Sequence, residues 1–380
     1  MGVPGYGEAG LMPLSRVKPE IYQALLTAKT EAVRELLAPF SPPSPQVFPS
    51  PPTGFRLRAE FRMWHDGEDI NYVMFPHEDP GTPVIITDFP IADNRIQRLM
   101  PILRAKLRGN SALRHKLFQV EFLASLSGEL LVTLVYHRPL EEAWEESAHQ
   151  LWKELHAGFS PISVIGRSRG QKRVIGEDYI EERLCIHGEQ FRYRQYEQSF
   201  SQPNGLVNTH MIEWACEQSA TLEGDLLELY CGNGNFTLPM SRHFNAVVAT
   251  ELSKVSIRAA RANVEANGVQ NVHLLRLSAE EVAQALAAER VFRRLAELPK
   301  PLDQFDLRTL FVDPPRAGLD GQTAIMAARF PAILYISCNP QTLADDLLVL
   351  CRTHRVEQFA LFDQFPYTEH MECGVLLRRP

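Results

Sequence analysis

Short apolar runs at residues 226–230, 246–250, 272–277, 309–312 and 332–336 alternate with helix-length stretches, and nothing else in this chain constrains its fold as tightly. Each run has the length of a strand buried on both faces, and the spacing between runs leaves room for a crossover helix. The pattern predicts an α/β fold built on a doubly wound, mainly parallel sheet. Residues 357–365 and 374–377 read as two further strands joined by a turn.

The first half is patterned differently. Residues 17–37 carry Ile21, Leu25, Leu26, Val33 and Leu37 at helical spacing, which predicts an amphipathic helix. A proline-rich stretch, 41–53, reads as a linker. Beyond it, residues 55–64 alternate apolar with charged side chains, and the turn His65-Asp66-Gly67 leads into Tyr72-Val73-Met74-Phe75, so a hairpin is expected. Residues 118–126 and 130–137 read as a second hairpin. A chain of 380 residues exceeds one typical core. We therefore expect an N-terminal α+β domain over 1–190 and a C-terminal domain over 191–380.

The net charge of −7 alone argues against a polyanionic partner, but its distribution argues otherwise. Seven Lys/Arg and no acid occur between Asn94 and Val120 (Arg95, Arg98, Arg104, Lys106, Arg108, Arg114, Lys116). Arg56, Arg58 and Arg62 precede them, and Arg167, Arg169, Lys172 and Arg173 follow. Three clusters in one half predict a surface that binds nucleic acid. The six cysteines contain no C-x-x-C pair, which speaks against a metal or iron–sulfur site and against a disulfide scaffold. The N-terminus lacks the pattern of a secretory signal, and no apolar stretch is long enough for a bilayer. A cytoplasmic location is expected.

The first strand of the second half runs into Glu228-Leu229-Tyr230-Cys231-Gly232-Asn233-Gly234-Asn235-Phe236. Glycines there let the backbone turn sharply beside a ligand. Glu251 ends the next strand, where a carboxylate accepts hydrogen bonds from ribose hydroxyls. The dinucleotide fingerprint wants a third glycine that is missing. The acid Glu228 suits a cationic ligand without phosphates, so the segment points to S-adenosylmethionine.

Two more strand ends carry chemistry. Asp313-Pro314-Pro315-Arg316 places an acid at the sheet edge, with Arg316 where amine methyltransferases carry an aromatic residue. Arg316 therefore favours a cationic contact to a phosphate or base. Tyr335-Ile336-Ser337-Cys338-Asn339-Pro340 delivers a thiol to the same edge. A cysteine at a strand end is usually a small packed residue. Facing a methyl donor, it is what methylation of a pyrimidine at C5 requires, because thiolate addition at C6 makes C5 nucleophilic and a base must then remove the C5 proton. Glu369 and Glu372, in Tyr367-Thr368-Glu369-His370-Met371-Glu372, are both candidates for that base.

The chain resembles the tRNA (uracil-5-)-methyltransferases. The resemblance runs through residues 55–62, Gln198-Ser199-Phe200-Ser201-Gln202-Pro203-Asn204, 227–236, 311–319, 335–340 and 362–377, with only the first fifty or so residues weakly matched. It implies that Cys338 is the nucleophile and Glu372 the proton acceptor. It also implies that Gln202, Tyr230, Asn235, Glu251 and Asp313 contact S-adenosylmethionine. The expected substrate is the T-loop uridine, position 54, of tRNA, and T-like loops of other RNAs are a further possibility. Residues 1–190 would then hold the T arm, with Arg56, Arg58, Arg62 and Arg316 on the RNA and Phe118 or Phe122 stacking on bases. Related ribosomal-RNA enzymes carry an N-terminal barrel and an iron–sulfur cysteine cluster; no cysteine precedes Cys185 here. Two alternatives stand beside this reading: an RNA cytosine-5 methyltransferase, and a non-catalytic RNA-binding or remodelling protein on the same fold.

Overall fold

The computed structural model describes residues 16–75 and 81–380. Residues 1–6, where no secretory signal is expected, lie outside them. The chain forms two compact units, and no single cut separates them. One contains Pro51–Arg183 and Gln195–Gly205; the other contains Tyr22–Ser50, Leu184–Arg194 and Leu206–Pro380. This partition differs from a single boundary at residue 190: Leu184–Arg194 falls in the unit of the C-terminal sheet and Gln195–Gly205 in the other. The helix from Tyr22 and the proline-rich stretch as far as Ser50 belong with the C-terminal sheet.

In the C-terminal unit that helix, α1, spans Tyr22–Leu37. The strands are β1 (Gln46–Phe48), β2 (Asp225–Leu229), β3 (Val247–Thr250), β4 (Val272–Leu275), β5 (Leu307–Val312), β6 (Ala332–Ser337), β7 (Arg355–Phe362) and β8 (Glu372–Arg378). They form one sheet in the order β1-β7-β8-β6-β5-β2-β3-β4. All pairs are parallel except those of β8, which runs antiparallel to both β6 and β7. Strand order reverses between β2 and β5, and the loops at the carboxyl ends of those strands therefore open onto a crevice.

Alternation along each strand divides the core into two layers. Leu227, Leu229, Val248, Leu310, Val312, Ile333 and Tyr335 face one way with Tyr22, Leu26, Val33 and Leu37 of α1. Leu226, Val247, Ala249, Phe311, Leu334 and Ile336 face the other, with Val207, Met211 and Trp214 of the helix Gly205–Ser219. Helices on both faces explain why these strands read as continuous apolar runs.

The stretch expected to be a linker contains β1, which pairs with β7 from Gln46↔Ala360 to Phe48↔Phe362. Prolines at 42, 43, 45, 49, 51 and 52 flank it. An edge strand tolerates such neighbours because one of its sides needs no ladder donors. The Phe48 ring stacks on Phe362 with centroids 4.8 Å apart, fixing the pairing.

The other unit holds a seven-stranded sheet containing both expected hairpins, Arg58–Asp66 with Asp69–Met74 and Leu117–Ala124 with Leu130–Tyr136. The helix Glu142–Phe159 links Leu130–Tyr136 to the parallel strand Ile162–Ser168. Phe122 lies inside this unit, 1% exposed, edge-on to Phe61 and Tyr72. It cannot stack on RNA, and the expectation that it does is corrected. The basic clusters are also less available than their number suggests. Arg95 pairs with Asp93, Arg104 and Arg108 with Asp69, Lys106 with Glu154, Arg167 with Glu197, Lys172 with Asp178 and Arg173 with Glu145. Among the described residues, no helix is long and apolar enough to cross a membrane.

Candidate active site

The loop after β2 turns through three left-handed residues, Tyr230 (φ 60°), Gly232 (φ 56°) and Gly234 (φ 88°). Such a turn aims backbone groups outward, and a side chain at Gly232 would meet open space. Side chains from three elements fix the loop. Asn263 is fully buried; its amide donates to Asn233 O at 2.9 Å and accepts from Arg194 N at 2.7 Å. Tyr193 Oη donates to Asn235 O at 3.0 Å. Asn208 and Asn235 exchange side-chain amide hydrogen bonds of 3.0 and 2.8 Å. The sequence gives no signal for Asn208 or Asn263, since each works through a residue distant along the chain.

Glu251, just past β3, accepts from Gly232 N at 3.0 Å and Ser253 N at 2.7 Å. These bonds hold its carboxylate beside the turn. Glu228 is fully buried beneath the loop, and neither oxygen makes a hydrogen bond of ordinary length. Burial pushes its carboxyl up to about 8 despite the nearby Thr237 hydroxyl, and Asp313 adds to the effect. An open glycine turn, a fixed carboxylate and a second, unpaired buried carboxyl fit a cationic nucleoside better than a phosphate ligand.

Three adjacent strand ends bring the reactive side chains together. Asp313 follows β5 and Cys338 follows β6, while Glu372 opens β8. The antiparallel register pairs Ser337 with Cys373, so Cys338 and Glu372 are neighbours at the next step. Glu372 is 3% exposed, and Glu369 is exposed to solvent. Burial, then the charge of Asp313, holds the Glu372 carboxyl well above its usual range, against the pull of Arg316. Burial raises Asp313 to about 7. The Cys338 thiol is pushed up to about 11 by burial and by the charges of Glu372 and Asp313, with Arg316 opposing. The cluster is therefore proton-rich at neutral pH, and Arg316 is the charge that favours the thiolate.

The loop backbones around the thiol are tied together. Asn339 Nδ2 and Thr342 Oγ1 donate to Arg316 O at 3.1 and 3.2 Å. Asn339 also caps the following helix, accepting from Gln341 N at 3.1 Å. The exposed Arg316 side chain thus springs from a backbone fixed to the Cys338 loop.

Tyr230, Asn235, Glu251, Asp313, Arg316, Cys338 and Glu372 all lie at the carboxyl edge of one sheet. Gln202, Arg56, Arg58, Arg62 and Phe118 belong to the other unit. There, Gln202 Oε1 is buried with no hydrogen-bond partner. Arg56 and Arg58 are half-buried, donating to Arg58 O at 2.9 Å and Ser199 O at 2.7 Å. Arg62 is exposed and lies 4.1 Å over the Phe118 ring, whose other stacking partner is His137 at 4.0 Å.

A doubly wound sheet with a glycine turn after its first central strand and an acid after the next defines a class I S-adenosylmethionine-dependent methyltransferase. A family model described as tRNA (Uracil-5-)-methyltransferase matches residues 21–380. A protein from Ectopseudomonas mendocina named tRNA/tmRNA (uracil-C(5))-methyltransferase is 55% identical over 95% of this chain and 98% of its own. A protein of the same name from Aromatoleum aromaticum is 50% identical over 97% of this chain and 98% of its own. Among solved structures, that of Pyrococcus abyssi tRNA (uracil-54, C5)-methyltransferase in complex with S-adenosyl-L-homocysteine shares the fold. It matches at a TM-score of 0.70 and 22% identity over 94% of this chain and 83% of that one. The chain belongs to the tRNA (uracil-5-)-methyltransferase family.

Proposed function

We propose that this enzyme methylates C5 of the T-loop uridine at position 54 of tRNA, working in the cytoplasm, with Cys338 as nucleophile and Glu372 as base. The observation that carries the reading is the adjacency of Cys338 to the buried Glu372 at the edge where the donor loop ends. S-adenosylmethionine, held by Tyr230, Asn235, Glu251 and Asp313, supplies an electrophilic methyl group on a sulfonium. Uracil C5 is too electron-poor to take it unaided.

The Cys338 thiolate adds to C6, forming an Sγ–C6 bond and leaving C5 enolate-like. Once C5 has taken the methyl group, its bond to the donor sulfur broken and S-adenosylhomocysteine left behind, Glu372 accepts the C5 proton, the C5=C6 bond re-forms and the Sγ–C6 bond breaks. Glu372 acts in its ionised form, which Arg316 favours, and its raised proton affinity then suits it to take a weakly acidic carbon-bound proton. Arg316 favours the thiolate and lies where it can meet the base or its phosphate. The target base must leave its stack, which costs a few kcal/mol and is easiest in a loop.

Arg56, Arg58, Arg62 and Phe118 form the tRNA-facing set, and the T arm is the part of the substrate they hold. Relatives named for tmRNA support T-like loops of other RNAs as further substrates. The residues 1–190 assigned to RNA binding reduce, on this reading, to the unit around Pro51–Arg183. The test is incubation of a tRNA transcript with labelled donor, followed by nucleoside identification. 5-Methyluridine at position 54 is expected; 5-methylcytidine, or no labelled nucleoside, overturns the proposal.

A further inference from the structure

The stripe by which α1 packs on the sheet is Tyr22, Leu26, Lys29, Val33 and Leu37, and its central member is a lysine. Lys29 is 2% exposed. Burial lowers its affinity for the proton, and the opposing pull comes from Asp363, itself 1% exposed. Helix packing alone does not call for this residue. Replacing a buried ion pair by apolar side chains of similar volume is often neutral or stabilising.

The ammonium hydrogens account for the lysine. Nζ pairs with Asp363 Oδ1 and donates to Phe365 O at 3.1 Å and to His370 O at 2.8 Å. Three donors meet three acceptors, all in the segment that leaves β7 and returns as β8. Glu372 begins β8, two residues beyond the His370 carbonyl. The same segment carries Tyr367 in the left-handed region (φ 64°), and Thr368 Oγ1 ties it internally by donating to Phe365 O at 2.8 Å. Seven residues before Lys29, the Tyr22 ring lies 5.9 Å from Tyr367 and its hydroxyl accepts from Ser50 N at 2.7 Å. Asp363 N donates to Phe48 O of β1 at 3.0 Å. Helix α1 and strand β1 thus close on the base-bearing loop from two sides.

We propose that Lys29 is a positioning residue for Glu372: its ammonium gathers the 363–370 loop so that the Glu372 carboxyl stands beside Cys338. The proposal rests on Glu372 as the base. Lys29 reaches no reacting atom, so its loss should slow proton removal from C5 and spare the preceding addition.

The test compares Lys29→Met, Asp363→Asn and Glu372→Gln in single-turnover reactions with tRNA, following the covalent protein–RNA complex on denaturing gels. In Lys29→Met the complex should form at the wild-type rate and break down about tenfold to a hundredfold more slowly, lowering kcat with KM unchanged. Asp363→Asn should act in the same direction and stands in if Lys29→Met fails to fold. The double variant Lys29→Met/Glu372→Gln should be no slower in breakdown than Glu372→Gln alone, a result that a general loss of structure would not give. Wild-type breakdown in the folded single variants overturns the proposal for Lys29 while leaving Glu372 intact. Failure of Glu372→Gln to accumulate the complex overturns the base assignment instead.

Discussion

Replacing Asn208 by alanine tests how the donor loop is held. Asn208 is 5% exposed, and its amide exchanges hydrogen bonds of 3.0 and 2.8 Å with Asn235. Truncation removes both and leaves a donor and an acceptor of Asn235 without partners. Each lost bond is worth about 0.5–1.5 kcal/mol net, so the variant should lose about 1–3 kcal/mol of loop organisation. If binding of S-adenosylmethionine requires that organisation, its affinity falls by about 5- to 150-fold. Asn208→Asp keeps the bond accepted from Asn235 and loses the one donated, so it should fall between wild type and alanine. Calorimetric titration with S-adenosylhomocysteine measures the loss, and thermal melting separates it from general destabilisation. Donor affinity within about twofold of wild type in a folded Asn208→Ala protein would refute the argument that the pair sets the loop.

Cys338 holds its proton up to about 11, so its alkylation by iodoacetamide should quicken about tenfold per pH unit between about 7 and 9. Arg316→Met removes the charge that favours the thiolate and should slow alkylation at a given pH by about two- to fivefold, an effect that shrinks in high salt. Phe118→Ala should weaken tRNA binding in a filter assay and leave stability nearly unchanged. Phe122→Ala should instead cost about 3–5 kcal/mol in denaturant unfolding, as expected for a fully buried ring.

Local pattern carried much of the fold into the sequence. Each of the five apolar runs is a strand of the C-terminal sheet, and four of them are almost wholly buried, with no polar face to confuse the reading; Val272–Leu275, at the sheet edge, is only partly buried. Strand β1 escaped because three residues between prolines hold no period. Its pairing comes from β7, some 310 residues later in the chain. The destination of α1 was hidden for a similar reason, although Lys29 in the middle of an otherwise apolar stripe is itself a sequence signal that the helix meets something charged. The basic clusters misled because their partners, such as Asp69 for Arg104 and Glu154 for Lys106, are supplied by distant elements. Phe122 and Phe118 lie four residues apart on one strand, yet one is core and one carries Arg62. A β-bulge register shift between Leu117 and Gln119 breaks the simple alternation there. The adjacency of Cys338 and Glu372 follows from the antiparallel return of β8, which periodicity alone does not specify.

The central claim is that Cys338 bonds to the base and Glu372 releases it. Intact-mass spectrometry of Glu372→Gln after reaction with tRNA and S-adenosylmethionine tests both halves at once. A covalent complex of protein and methylated RNA, linked at Cys338 and absent in Cys338→Ala, is the predicted result. A Glu372→Gln enzyme that turns over as fast as wild type, or one that never forms the complex, would contradict it.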